Sequence, residues 1–156
     1  MNSPFYQLCF PEYKFELKKD GSNILIFDEL RTKWIACTPE EWVRQNLIKY
    51  LIYELNFPKN LIAIEKSLII ANRKFRFDIL IYDKNYHPLL LVECKAPTID
   101  LTQKTFDQIW NYNYQIEAPF FIVTNGIGFI MGKCSKKSGV EFFRETVKYD
   151  EILNNI

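Results

Sequence analysis

The chain has 156 residues, 48% of them hydrophobic and 25% charged, and its 20 basic and 19 acidic residues leave a formal net charge of +1. That length suits one domain with a core of its own, and no apolar run approaches the ~20 residues of a membrane-spanning helix. A balanced charge does not mark a nucleic-acid binder, which usually shows a clear basic excess, and does not exclude a nuclease, which keeps a local acidic cluster for metals.

Cysteine and histidine usage narrows the chemistry. Cys9, Cys37, Cys94 and Cys134 form no close pair, so reduced, mostly buried thiols are expected rather than a zinc or redox site. His87 is the only histidine, which handicaps mechanisms that need two imidazoles or a Ser/His/Asp triad. The first residues lack a basic start followed by an apolar segment, so the expected location is the cytoplasm.

In chain order, residues 13–17, 23–28 and 33–37 alternate apolar and polar side chains around the turn Lys19-Asp20-Gly21-Ser22, which predicts a small antiparallel sheet. Thr38-Pro39-Glu40-Glu41 reads as a capping box with proline at the first helical position, opening a helix to about residue 55. Strands are expected over residues 61–71, 75–83 and 88–95. Asp100 with Gln103 then opens a second helix to about residue 117, with Phe106, Ile109, Trp110, Asn113 and Ile116 on one stripe. Residues 120–124 and 129–133 read as strands, and residues 140–146 as a last edge strand. The expected architecture is mixed α/β around a central sheet, with an N-terminal antiparallel β extension.

The chemistry concentrates on the pair of strands at 75–83 and 88–95. If Lys84-Asn85-Tyr86-His87 is a hairpin turn, Asp83 faces Pro88 and Asp78 falls opposite Glu93, with Cβ atoms ~4.5–5.5 Å apart. Two carboxylates that close repel each other unless a cation lies between them, and a divalent ion such as Mg²⁺ with oxygen ligands is the natural occupant. Lys95 projects from the same face as Glu93. The Cys94 side chain points into the core, leaving its backbone carbonyl as a further ligand. Arg76 falls opposite Lys95 in the same register. Asp, Glu, Lys and Arg on one patch suit the hydrolysis of a phosphodiester. Glu-x-Lys alone is unspecific, since Glu12/Lys14 and Glu16/Lys18 repeat it; only Glu93/Lys95 follows a buried-looking run, Leu89-Leu90-Leu91-Val92. The competing reading is a cross-strand salt bridge among the same four side chains.

Asp78 in FDILIYD, with Glu93 and Lys95 in LLLVECKAP, resembles the PD-(D/E)xK nuclease signature, although Phe77 stands where the signature has proline. Gln108 and Tyr112 in FDQIWNY add a Gln-x-x-x-Tyr on the following helix. Together these resemble the N-terminal nuclease domain of the restriction subunit of type I restriction enzymes, and RecB-like nucleases. The resemblance implies a restriction-endonuclease-like fold, with residues 1–37 as a β extension, 38–133 as the core and 134–156 as an edge strand and tail. It implies Asp78 and Glu93 as metal ligands, Lys95 as the catalytic lysine, and Gln108 and Tyr112 as residues that brace the site or touch DNA. A further acidic ligand from the first helix would be Glu41, which also fits the capping box. Mg²⁺ or Mn²⁺ is the implied cofactor. DNA is the implied partner, cut to 5′-phosphate ends, with a homodimer or partner subunits as further possibilities. The chain carries no GxxxxGK[ST] loop, so the nuclease part of that biology is implied and the motor is not. Arg73, Lys74 and Arg76 are the basic residues expected to meet phosphate. The alternatives are a catalytically silent nucleic-acid-binding or protein-interaction module of the same fold, and an RNA-directed nuclease.

Overall fold

The computed structural model describes residues 5–156. Eleven strands and three helices are present among them: β1 (Leu17–Asp20), β2 (Asn23–Asp28), β3 (Lys33–Ala36), α1 (Pro39–Tyr53), β4 (Ile62–Ile64), β5 (Ser67–Ile70), β6 (Arg73–Arg76), β7 (Ile79–Tyr82), β8 (Pro88–Cys94), α2 (Gln103–Ile116), β9 (Phe120–Thr124), β10 (Phe129–Ser135), β11 (Gly139–Phe142) and α3 (Tyr149–Leu153). A mixed sheet in the order β11-β10-β9-β8-β7-β4 lies at the centre. β8 and β9 run parallel and the other neighbours antiparallel. The architecture is the mixed α/β one expected from the sequence.

Each face of the sheet carries a helix. Val43, Leu47, Ile48 and Leu51 of α1 pack on Ile79, Ile81, Leu90, Val92, Phe120 and Ile122. Ile109 and Ile116 of α2 pack on Leu80, Leu91, Phe121 and Val123 of the opposite face. A strand covered on both faces needs apolar residues at consecutive positions, which is why Leu89-Leu90-Leu91-Val92 is unbroken. Thr38 caps α1 by accepting from the Glu41 N–H at 3.1 Å, with Pro39 at the start.

Several boundaries differ from expectation for local reasons. β1 begins at Leu17 rather than at residue 13. The cap of α2 is Thr102 with Thr105, not Asp100. The segment after β11 contains α3, where the Tyr149 N–H donates to the Leu55 carbonyl at 2.9 Å and Tyr149 packs edge-on against Phe57. The strands expected at 61–71 and 75–83 are each split in two, leaving β5–β6 as a separate two-stranded ribbon.

One register holds throughout that long hairpin. Ile64 pairs with Ile79 and Ser67 with Arg76, and between them Glu65 N–H donates to Asp78 O and Phe77 N–H to Lys66 O. Phe77 nonetheless joins the α2-side core while Ile79, two residues on, joins the α1-side core. Regular strands return to the same face every second residue, so the chain changes face at Asp78. Arg76 therefore lies across from Ser67, and not opposite Lys95.

The β7–β8 turn is one residue tighter than expected. Asp83 N–H donates to the His87 carbonyl at 2.9 Å, Tyr82 pairs with Pro88, and a bulge follows that restores the pairs Ile81–Leu90, Leu80–Leu91 and Ile79–Val92. That restored register carries Asp78 across from Glu93, one position beyond the last formal pair.

The β extension is fastened to α1 by Asp28, which is fully buried. Its carboxylate accepts from the Leu30 and Arg31 backbone N–H groups and from Gln45 Nε2 at 2.8–2.9 Å, and it pairs with the Arg31 side chain. Burial alone would raise the Asp28 pKa, but these bonds outweigh it and hold the pKa below the usual value. The stabilisation is therefore present above the unfolded-state pKa of about 3.9 and lost as pH falls through the lower folded value. Asp28→Ala is expected to cost about 3 kcal/mol at pH 7, because it strands partners that are already buried. The deficit shrinks as the pH is taken below about 4. Urea denaturation of both proteins at pH 7 and pH 3.5 checks this, and an equal deficit at both would contradict it.

Candidate active site

Asp78, Glu93, Lys95 and Gln108 meet at the C-terminal end of β8. Asp78 occupies the break between β6 and β7, Glu93 is the penultimate residue of β8, and Gln108 comes from α2. Lys95 follows β8 directly, its backbone N–H held by the Thr124 carbonyl at 2.9 Å. Lys95 Nζ donates to Glu93 Oε1 at 2.7 Å and to Gln108 Oε1 at 3.4 Å, and Gln108 Nε2 donates to the same Glu93 oxygen at 2.8 Å. The glutamine amide thus bridges the ammonium and the carboxylate, which fixes both.

Asp78 is held differently. Its Oδ2 accepts from the Cys94 N–H at 2.7 Å and its Oδ1 from Arg44 Nη2 at 2.8 Å. Arg44 is buried on α1, where it also contacts Glu40 at 3.1 Å, Glu65 at 3.4 Å and Glu41. Opposite charge all round raises its pKa still further, against the lowering effect of burial. Glu65 in turn pairs with Arg31 at 2.7 Å and Arg76 at 3.3 Å. One ion network runs from the β extension through α1 to the metal-ligand candidate Asp78.

Burial pushes the Glu93 carboxyl above its usual pKa, and the nearby charge of Asp78 adds to that, against the lowering effect of Lys95. Glu40 is raised by burial and then by Asp78. Lys95 is raised, since its hydrogen bond to Glu93 and the surrounding carboxylates overcome the opposing effect of burial. Counted over the whole network, six carboxylates (Asp28, Glu40, Glu41, Glu65, Asp78, Glu93) face four cations (Arg31, Arg44, Arg76, Lys95). Asp78 accepts from Arg44 and the Cys94 N–H, and Glu93 Oε1 from Lys95 and Gln108; the two carboxylates match the one or two that Mg²⁺ takes while keeping its remaining waters. Among the described residues no group of three or more His, Cys, Asp or Glu side chains is placed to hold a metal ion.

The remaining sequence candidates have definite places. The Glu41 carboxylate is not brought to Asp78 and Glu93; Arg31, Arg44 and Gln45 hold it on the far side of Arg44. Glu40, its neighbour, is the α1 carboxylate whose charge acts on Glu93 and Lys95. Tyr112 packs edge-on against Phe75 at 5.7 Å, bracing the ribbon rather than the carboxylates. Cys94 is fully buried in the α1-side core, as its strand parity requires. Arg73, Lys74 and Arg76 are exposed on the ribbon. Arg44 and Glu40 lie outside the residues expected from sequence, although they carry a signal there: an arginine flanked by Val43 and Leu47 on an apolar stripe, four residues after a glutamate.

The fold and this cluster define a three-layer α/β domain with an acidic site, served by one lysine, at the end of its central strand. Residues 39–148 match the family described as type I restriction enzyme R protein N terminus, and the chain belongs to that family. The fold is also that of a fragment of a protein described as an HsdR subunit of a type I restriction enzyme from Vibrio vulnificus YJ016, with a TM-score of 0.56 at 16% identity over 75% of this chain. The chain spans 25% of the length of that solved protein. No curated protein matches it.

Burial and the neighbouring Asp78 disfavour the charged form of Glu93, so its charge destabilises the metal-free fold. Glu93→Gln keeps the acceptor for Lys95 and Gln108 while removing that charge. In EDTA at pH 7.5 it should raise the thermal midpoint by a few degrees, about 1 kcal/mol. Differential scanning calorimetry decides it, and a lower midpoint would mean that the charged hydrogen bonds outweigh burial and repulsion.

Proposed function

We propose that this domain is a metal-dependent nuclease of the PD-(D/E)xK class that hydrolyses DNA phosphodiester bonds. The observation that carries the reading is the convergence of Asp78, Glu93 and Lys95 with Gln108 at one strand end, in a network short of two positive charges. Asp78 and Glu93 would hold Mg²⁺ or Mn²⁺, with the Cys94 carbonyl as a further oxygen donor. The ion, when bound, supplies Lewis-acid polarisation of the phosphate and a more acidic water.

The residues of the chain account for the rest. The Lys95 ammonium, fixed by Glu93 and Gln108, stabilises negative charge that builds on the phosphate oxygens as water adds to phosphorus. The water gives up a proton to solvent as its oxygen bonds to phosphorus, and the P–O3′ bond breaks, leaving a 5′-phosphate and a 3′-oxyanion that takes up a proton to become the 3′-hydroxyl. Arg44 holds Asp78 in place and is a positioning residue. Within a restriction-subunit family, DNA is the proposed partner, with other subunits or a motor completing the assembly.

Wild type and Lys95→Ala are compared on supercoiled and linear DNA with Mg²⁺, Mn²⁺ or EDTA. The expectation is metal-dependent cutting that falls at least a hundredfold in the variant, with Mn²⁺ binding by calorimetry retained in Lys95→Ala and lost in Asp78→Ala. Metal binding without cutting would leave a site that acts only with its partners. Neither cutting nor metal binding would overturn the enzymatic reading and leave a binding module of the same fold.

A further inference from the structure

We propose that the β5–β6 ribbon is the element that docks duplex DNA, entering a groove with Ile69 at the centre of its outer face and leading the backbone to Asp78; this rests on the nuclease reading above. The ribbon leaves the six-stranded sheet at Asp78 and pairs only with itself among the described residues. Its inner face is accounted for by packing: Leu68, Ile70 and Phe75 lie against the α2-side core. Its outer face has no such role in the fold. Ser67 opposite Arg76 and Ile69 opposite Lys74 point to solvent, and Ile69 is 75% exposed. A β-branched apolar side chain that open, set directly across from a lysine, contributes nothing to the core.

The charge on this segment is one-sided. From Lys66 to Phe77 the sequence holds four cations (Lys66, Arg73, Lys74, Arg76) and no acid, in a chain that is otherwise balanced. Arg76 is the link to the site, since it pairs with Glu65 beside Arg44 and Asp78. A phosphate backbone lying along the outer face would pass Lys74, then Arg76, then the carboxylates. The turn that makes the tip is built for projection: Ala71 and Asn72 both have positive φ, 48° and 60°, the two-residue turn whose twist suits a tight ribbon.

Dimensions fit a groove. Four residues per strand span ~13 Å, and two strands lie ~4.8 Å apart. The major groove of B-DNA, ~12 Å wide, admits a two-stranded ribbon, and an apolar side chain there meets thymine methyl groups. The deep, narrow major groove of duplex RNA does not admit one.

The test measures binding of the whole chain to a fluorescein-labelled DNA duplex in Ca²⁺ by anisotropy across a salt series. Wild type is compared with Lys74→Ala, with Ile69→Ala, and with Lys136→Ala/Lys137→Ala in the loop after β10. The first is expected to weaken binding about fivefold and to lower the salt slope by about one. Ile69→Ala should weaken duplex binding about threefold with the slope unchanged, because it removes an apolar contact rather than a phosphate contact. Lys136→Ala/Lys137→Ala should stay within about twofold. All three sites are solvent-exposed, so unchanged unfolding midpoints confirm folded variants. Unaltered binding in the ribbon variants, no duplex binding by wild type, or equal competition by duplex RNA or single-stranded DNA would each overturn the proposal. Ribbon-dependent binding with neither cutting nor metal binding would overturn the hydrolysis and retain the docking element. Cutting by a ribbon variant with wild-type affinity would do the reverse.

Discussion

Arg44 is the side chain on which the site and the fold both depend. A buried guanidinium is tolerated only when its charge is answered at close range, and here Asp78, Glu40, Glu41 and Glu65 answer it from three different parts of the chain. The arrangement is reciprocal. Asp78 sits where its strand changes face; the Glu65 N–H holds its carbonyl, and Arg44 together with the Cys94 N–H fixes its carboxylate. Its Nε finds no partner among the described residues, so the geometry serves the carboxylates rather than the arginine.

The network also explains why the N-terminal strands belong to the same body as the site. Arg31 reaches from the β extension to Glu41 and Glu65, and Asp28 binds both Arg31 and Gln45. A disturbance in the β2–β3 turn would therefore be felt at Asp78 through three ion pairs in series. That route is electrostatic and short.

Stability and chemistry pull in opposite directions here. Glu93 sits in a dry setting that disfavours its charge, and Lys95 and Gln108 compensate only one of its oxygens. Such local destabilisation is common where a protein keeps a site ready for a ligand of opposite charge. A core made only of the two apolar clusters would be more stable and chemically inert.

Much of this was readable in the primary structure because it depends on neighbours along the chain. The capped start of α1, the doubly buried run before Glu93 and the Glu-x-Lys spacing follow from periodicity and short-range sterics, and so did the mixed α/β class. Asp78 was placed opposite Glu93 by counting across a turn that is in fact one residue tighter. The agreement came from a compensating bulge, which no local pattern announces. The split of the long hairpin, the removal of Arg76 from Lys95, the exposure of Ile69 and the choice of Glu40 over Glu41 as the carboxylate facing the site were settled only by tertiary packing. Each depends on which face a residue presents after a twist, and on charges that are distant in sequence but share one buried space. Sequence spacing determines which residues can lie on one side of an element; only the packed fold decides which of those sides meet.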